Sequence, residues 1–191
     1  MRAAAVIAND TASPAVKQLR FQAHGRRAFA AMGASVAESI RRHLVQRDLI
    51  PNQLGGRRTH FFSSAARQTF WVAREDEAEV SIAKDGIRQR LLGGIIRPVR
   101  KKALTIPVSP EAYGRRASEF GSELRLVKLS GGADGQTAGL LVLGEGPHAP
   151  AMYVLRTQVH QAPDPSVLPA DADLKAAAVA GLEELRLAEM P

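Results

Sequence analysis

Apolar residues recur at steps of three and four from Phe29 through Met32, Val36 and Ile40 to Leu44, which is the spacing of one face of an α-helix. Glu38, Arg41, Arg42 and Gln46 fall largely on other faces, so the pattern predicts a long helix that opens at Arg26. Gly33 inside it costs about 1 kcal/mol relative to Ala and marks a close crossing with another backbone. A shorter helix is expected over Ala12–His24, with Ser13 as its cap, Pro14 in its first turn and Gly25 at its end. Asp48–Gly56, with Pro51, Asn52 and paired glycines, reads as a loop. From Phe61 a further short helix turns Ala65 and Ala66 inward, and His60 before it reads as a hydrogen-bonded boundary residue.

At Thr69 the period changes to two. Phe70, Trp71 and Val72, the acidic turn Glu75-Asp76-Glu77, and the alternating Val80 and Ile82 predict a hairpin in which Trp71 anchors the core. Ser109 and Pro110 suit the start of a short helix. A second hairpin pairs Leu124–Leu129 with Ala138–Leu143 around a glycine-rich tip at Gly131, Gly132 and Gly135. That tip joins strand to strand and lacks the Lys-Ser/Thr ending of a phosphate loop. Met152–Val159 reads as one last strand, with Tyr153, Leu155, Thr157 and Val159 on one side. Pro163, Pro165 and Pro169 then make an extended linker to a terminal helix whose apolar stripe, Leu174, Ala178, Leu182 and Leu185, is narrow. A Pro-rich spacer spans about 3 Å per residue, enough to carry the helix to an adjacent subunit, although it can also close over its own sheet.

These elements give an α+β fold, with N-terminal helices packed on a mainly antiparallel β-sheet, a projecting basic loop and a C-terminal helix on a Pro-rich tether. The expected organisation is an arm over residues 1–25, one core over 26–160, and the linker with its helix over 161–191.

The stretch Gly86–Pro107 organises the rest. It breaks at Gly93 and Gly94, resumes at Ile95 and Ile96, is thrown outward by Pro98, carries Arg100, Lys101 and Lys102 in succession, and returns as a strand ending at Pro107. The chain's net charge is +7, and Gly86–Lys128 holds ten cations against three anions, so this stretch carries the whole excess. A localised excess suggests one positive surface facing nucleic acid or an acidic protein. The candidate interaction residues are Arg97, Arg100, Lys101, Lys102, Arg115 and Arg116, with Leu174, Leu182 and Leu185 on the terminal helix; Gly93, Gly94, Pro98 and Pro107 are candidate structural residues. The plainer reading is a hairpin with a solvated Lys/Arg tip.

Chemistry-bearing patterns are scarce. There is no cysteine, hence no disulfide, zinc-thiolate site or thiol nucleophile. His24, His43, His60, His148 and His160 show no metal spacing, and neither a nucleophile elbow nor a dinucleotide fingerprint occurs. No catalytic, cofactor-binding or metal-binding residue is assigned, and the expectation is a soluble protein without enzymatic activity or membrane partner.

Three runs read together resemble a known family: Pro51-Asn52-Gln53-Leu54-Gly55-Gly56-Arg57-Arg58-Thr59, the Gly-Gly-Ile-Ile-Arg-Pro segment from Gly93 followed by Lys102-Ala103-Leu104-Thr105-Ile106-Pro107, and Pro110-Glu111-Ala112-Tyr113-Gly114. They are similar to the small virion-morphogenesis or tail-completion proteins of tailed phages, particularly Mu-like prophages, over roughly Val36–Pro169. The resemblance implies a structural subunit of the virion neck, where head joins tail, assembled in the host cytoplasm and working as a ring, a hexamer. The implied partners are further copies of itself, other neck, connector and tail proteins, and DNA in the lumen; no cofactor is implied. The N-terminal 25 residues and the Gly131–Gly135 loop lie outside the pattern. The competing class is a basic nucleic-acid-binding module, for which Tyr113 and Phe120 are the only nearby stacking candidates.

Overall fold

Arg26–Leu49 forms the long helix α1, but the side it buries is rotated from the one the large apolar residues mark. Ala28, Gly33, Ala37, Ile40 and Leu44 are buried, whereas Phe29, Met32 and Val36 are half-buried. Small residues take the inner side because two other elements approach closely there. The structure is a computed structural model that describes residues 25–74, 76–129 and 135–188. The helix expected over Ala12–His24 and most of the glycine-rich tip around Gly131 lie outside the described residues.

The chain divides into two compact units. The first holds the described residues up to Arg47, Phe61–Ile87, and those from Ser166 on. Here α2 (Phe61–Arg67) buries Ala65 and Ala66 and leads into a hairpin of β1 (Thr69–Ala73) and β2 (Ala78–Ile82), paired from Thr69↔Ile82 to Ala73↔Ala78 as the alternation predicts. Thr69 is pinned on both sides: its hydroxyl donates to the Ala65 carbonyl at 3.0 Å, and its own carbonyl accepts from Arg41 at 2.9 Å. Trp71 turns inward over Gly33, where a Cβ would lie 3.3 Å from the indole and 3.1 Å from the Ala78 methyl. Gly33 therefore makes room for side chains, in place of the backbone crossing expected there.

The backbone crossing occurs at Gly181. It sits in α4 (Asp171–Ala188), and a Cβ on it would lie 2.6 Å from the Ala31 carbonyl oxygen and 2.8 Å from the Ser35 Cβ. The terminal helix thus packs on α1 of its own chain, with Leu174, Leu182 and Leu185 half-buried, where the sequence expected it to be carried outward on its tether. Its Pro-rich lead-in is likewise no free tether. Pro165–Val167 forms a single 3₁₀ turn in which Val167 is fully buried. The Ser166 carbonyl lies 2.9 Å from His43 Nε2, and its hydroxyl accepts from Arg47 at 2.7 Å. These bonds fasten the segment to the last turns of α1, so residues after Ser166 belong with the helices and not beyond the core.

The second unit comprises Asp48–His60 and Arg88–Pro165. After the short helix α3 (Ile87–Leu92) come β3 (Gly94–Ile96), β4 (Leu104–Pro107), β5 (Leu124–Lys128), β6 (Thr137–Leu143), β7 (Ala151–Arg156) and β8 (Val159–Gln161). A four-stranded sheet has the order β4-β7-β6-β5, β3 pairs with β8, and every pairing is antiparallel. With the helices, this makes the chain an α+β protein. The β5–β6 hairpin matches the sequence pattern, but the single strand expected over Met152–Val159 is two, interrupted at Thr157 and Gln158, where the pairing partner changes from β4 to β3. The Pro110–Gly114 run is a turn and not a helix: Ser109 Oγ accepts from the Ala112 amide at 3.2 Å, and the chain then rises through two 3₁₀ turns over Ala117–Glu123, broken at Gly121. This places Ala112 and Phe120 against Met152 and Tyr153, the centre of the unit's core, with Leu124, Leu141 and Leu143 around them.

Candidate interaction surface

Strand pairing explains the basic loop. Gly94↔Gln161 to Ile96↔Val159 and Leu104↔Arg156 to Pro107↔Tyr153 are two stretches of one antiparallel ribbon. Between them residues 97–103 face only Thr157 and Gln158. The longer side must arch outward, so the loop is a wide bulge in a ribbon; β3 and β4 do not pair with each other, and the hairpin reading does not apply.

Its base is tightly held. Gly93 ends α3 at φ +68°, with its amide on the Gln89 carbonyl at 2.9 Å and its carbonyl accepting from Gln89 Nε2 at 2.9 Å. A Cβ there would meet the Gln161 oxygen and the Pro163 nitrogen, each at 2.6 Å. Gly94 follows at φ +118°. Both conformations favour glycine. At the other end the Val108 amide donates to the Met152 carbonyl at 2.9 Å, so by alternation the Pro107 nitrogen faces the open side of edge strand β4, where a missing N–H costs no ladder bond. Pro98 sits half-buried at the outward bend.

From this base project Arg100, Lys101 and Lys102, all exposed, and Val99, 95% exposed. Arg97 braces the arch through a 3.3 Å bond from Nε to Gln158 Oε1, and Ile95 beside it is more than half exposed. The loop therefore presents an apolar residue in a collar of four cations, with no anion between residues 97 and 103.

The other sequence candidates lie elsewhere. The Arg115 guanidinium stacks 4.0 Å above the Phe120 ring and pairs with Glu119 at 3.8 Å, which makes it part of the packing. The Arg116 amide donates to Glu119 Oε1 at 3.1 Å, and its side chain is exposed. Leu174, Leu182 and Leu185 belong to the helical unit, on the inner side of α4.

A polar cluster escaped the sequence reading. The Asp48 carboxylate, 5% exposed, receives Arg58 Nη2 at 3.2 Å and lies 3.2 Å from His60 Nδ1, while the same Arg58 nitrogen donates to the Asp48 carbonyl at 2.5 Å. His60 is the one described non-glycine residue with positive φ, +52°. Within the loop these residues close, Asn52 Oδ1 accepts from the Leu54 and Gly56 amides at 3.0 and 3.3 Å, and its Nδ2 donates to the Gly56 carbonyl at 2.8 Å. The arrangement staples the ends of the Asp48–His60 segment. An Asp at a helix end and an Arg and a His ten and twelve positions later have no fixed spacing that would announce it.

In the core, the Tyr153 hydroxyl donates to the Arg115 carbonyl at 3.0 Å and lies 3.3 Å from that of Ala112. Burial pushes the phenol above its ordinary value of 10.0, with Arg115 opposing and Glu119 adding to the shift. Among the described residues no three His, Cys, Asp or Glu side chains gather to hold a metal ion, and no helix is long and apolar enough to cross a membrane.

The helical unit has an exposed face of its own. Phe70 and Val72, each 50% exposed, lie on the outer side of the β1–β2 hairpin, opposite Ser81 and Glu79, with exposed Asp76 and Glu77 at the turn. No protein-family model, curated protein or solved structure matches the chain.

Proposed function

We propose that this chain is a structural, non-enzymatic subunit of a phage virion at the head–tail junction, a tail-completion or neck protein that acts as a ring of identical copies, a hexamer. Its partners in this reading are neighbouring copies and other neck, connector and tail proteins, with DNA passing through the lumen. The observation that carries the proposal is the basic arch of residues 97–103, an exposed apolar residue among cations held out by a glycine-locked, proline-edged base. A loop anchored at both ends has less chain entropy to lose on contact than a free segment would. That suits assembly. The arch overlaps two of the runs that resemble tail-completion proteins, Gly93–Pro98 and Lys102–Pro107, and Val99, Arg100 and Lys101 lie between them.

The same cations favour a second reading, a nucleic-acid-binding module in which the arch lies on the phosphate backbone. Negative-stain imaging and native mass of the purified protein separate the two. The neck reading expects closed rings whose mass is unaffected by DNA; a monomer whose DNA affinity collapses with added salt would replace it with the second.

A further inference from the structure

We infer that the arch of residues 97–103 on one copy seats on the outer face of the β1–β2 hairpin of the next copy, and that this heterologous contact closes the ring. The inference rests on the ring reading above and names the two surfaces that would meet in it.

Each surface is half of a matched pair. The hairpin face offers Phe70 and Val72, half-exposed two residues apart on one strand, and thus on the same side of the ribbon. Its far side is occupied by Trp71 against Gly33, so the exposed pair has no role in packing the hairpin onto α1. Among the described residues from Arg74 to Glu79, the carboxylates of Asp76, Glu77 and Glu79 stand against the one guanidinium of Arg74. Arg74 pairs with Glu77 and reaches Glu79 at 3.7 Å, leaving the excess negative. The arch offers the complement: Val99 and Ile95 exposed, with Arg97, Arg100, Lys101 and Lys102 about them. Apolar centres with rims of opposite charge are what a specific protein interface requires.

The choice of a second copy as occupant follows from this complementarity. Phosphates would satisfy the cations but leave Val99 and Ile95 facing water. A single chain bearing both halves of the pair, one in each unit, can associate head to tail with further copies, and such contacts close into rings when the rotation allows.

Charge reversal tests the contact. One variant carries Arg100→Glu, Lys101→Glu and Lys102→Glu; the other carries Asp76→Lys, Glu77→Lys and Glu79→Lys. Each alone is expected to be folded by circular dichroism and monomeric by native mass. Mixed, they are expected to assemble, because the acidic arch of the first meets the basic hairpin of the second, and the basic arch of the second meets the acidic hairpin of the first. Rescue on mixing requires contact between chains and is not produced by an arch that folds onto its own hairpin. A third variant, Val99→Asp, guards against misfolding, since Val99 is almost wholly exposed. It is expected to raise the protein concentration needed for assembly by about tenfold. Rings that persist in the reversed variants or in Val99→Asp overturn the contact while leaving the ring reading intact, as does a folded mixture that stays monomeric. A wild-type protein that is monomeric at high concentration overturns both. Unchanged rings with DNA affinity lost only in the arch variant assign the cations to nucleic acid instead.

Discussion

Tyr153 joins the sheet of the second unit to the turn that precedes its 3₁₀ segment, and its ionisation gives that role a pH signature. The folded state holds the phenolic proton more tightly than the unfolded chain does, so the contribution is complete below the ordinary value of 10.0 and is lost as pH climbs through the raised folded value. Thermal denaturation is therefore expected to show a fall in melting temperature above pH 10 that is shallower in Tyr153→Phe. At neutral pH the same variant is expected to lose about 1 kcal/mol, the usual net worth of one hydrogen bond. An alkaline limb of equal steepness in both proteins would remove Tyr153 from the account. Gly181 offers a sharper test, because two effects oppose. Helix propensity alone makes Gly→Ala in a helix interior stabilising by about 0.8–1 kcal/mol. A Cβ placed 2.6 Å from the Ala31 oxygen must push the helices apart, and overpacking of this kind costs about 1–3 kcal/mol. Gly181→Ala is expected to destabilise in urea denaturation; a higher midpoint would mean that α4 does not cross α1 so closely.

Among the elements, what the sequence reveals depends on whether the signal is local. The α1 helix, the β1–β2 hairpin and the β5–β6 hairpin follow from periodicity and turn residues that lie within a few positions of one another. The rotation of α1 onto its small residues does not, since it is decided by Trp71 and Gly181, which arrive from distant parts of the chain. The split of the Met152–Val159 run is equally non-local: alternation continues through Thr157, and only the pairing of Val159 with Ile96 shows that the strand has changed partner. The prolines before α4 read as a tether because Pro fixes an extended backbone, yet Ser166 and Val167 between them are what bind the segment to α1. The basic arch was legible as a projecting element, and its glycines and prolines as the reason, but its form as a bulge required the ribbon partner. Deleting the residues after Pro169 tests the cis docking of α4. A loss on the order of 3 kcal/mol would lower the melting temperature by about 6–12 °C in a chain of this size. That fall, with native mass per assembly reduced only by the missing residues, is the expected result; a folded core of unchanged stability that has lost its oligomer would restore the picture of a helix exchanged between subunits.

For the whole molecule, the central question is what a chain with scattered histidines, no cysteine and one strongly basic arch is built to do. The proposed answer is assembly, with charge acting between copies at the arch and the hairpin. Contacts of that kind weaken with ionic strength, because screening at 1 M salt acts over about 3 Å against about 8 Å at physiological strength. The most direct measurement is made on the particles themselves: virions produced by a genome that encodes this chain, compared with those from the same genome after its deletion, by electron microscopy and by mass spectrometry of the purified particles. The account expects the chain in complete virions at a ring's copy number, and filled heads and finished tails that fail to join when it is absent. Joined, infective particles formed without it, or complete virions that do not contain it, would contradict the account.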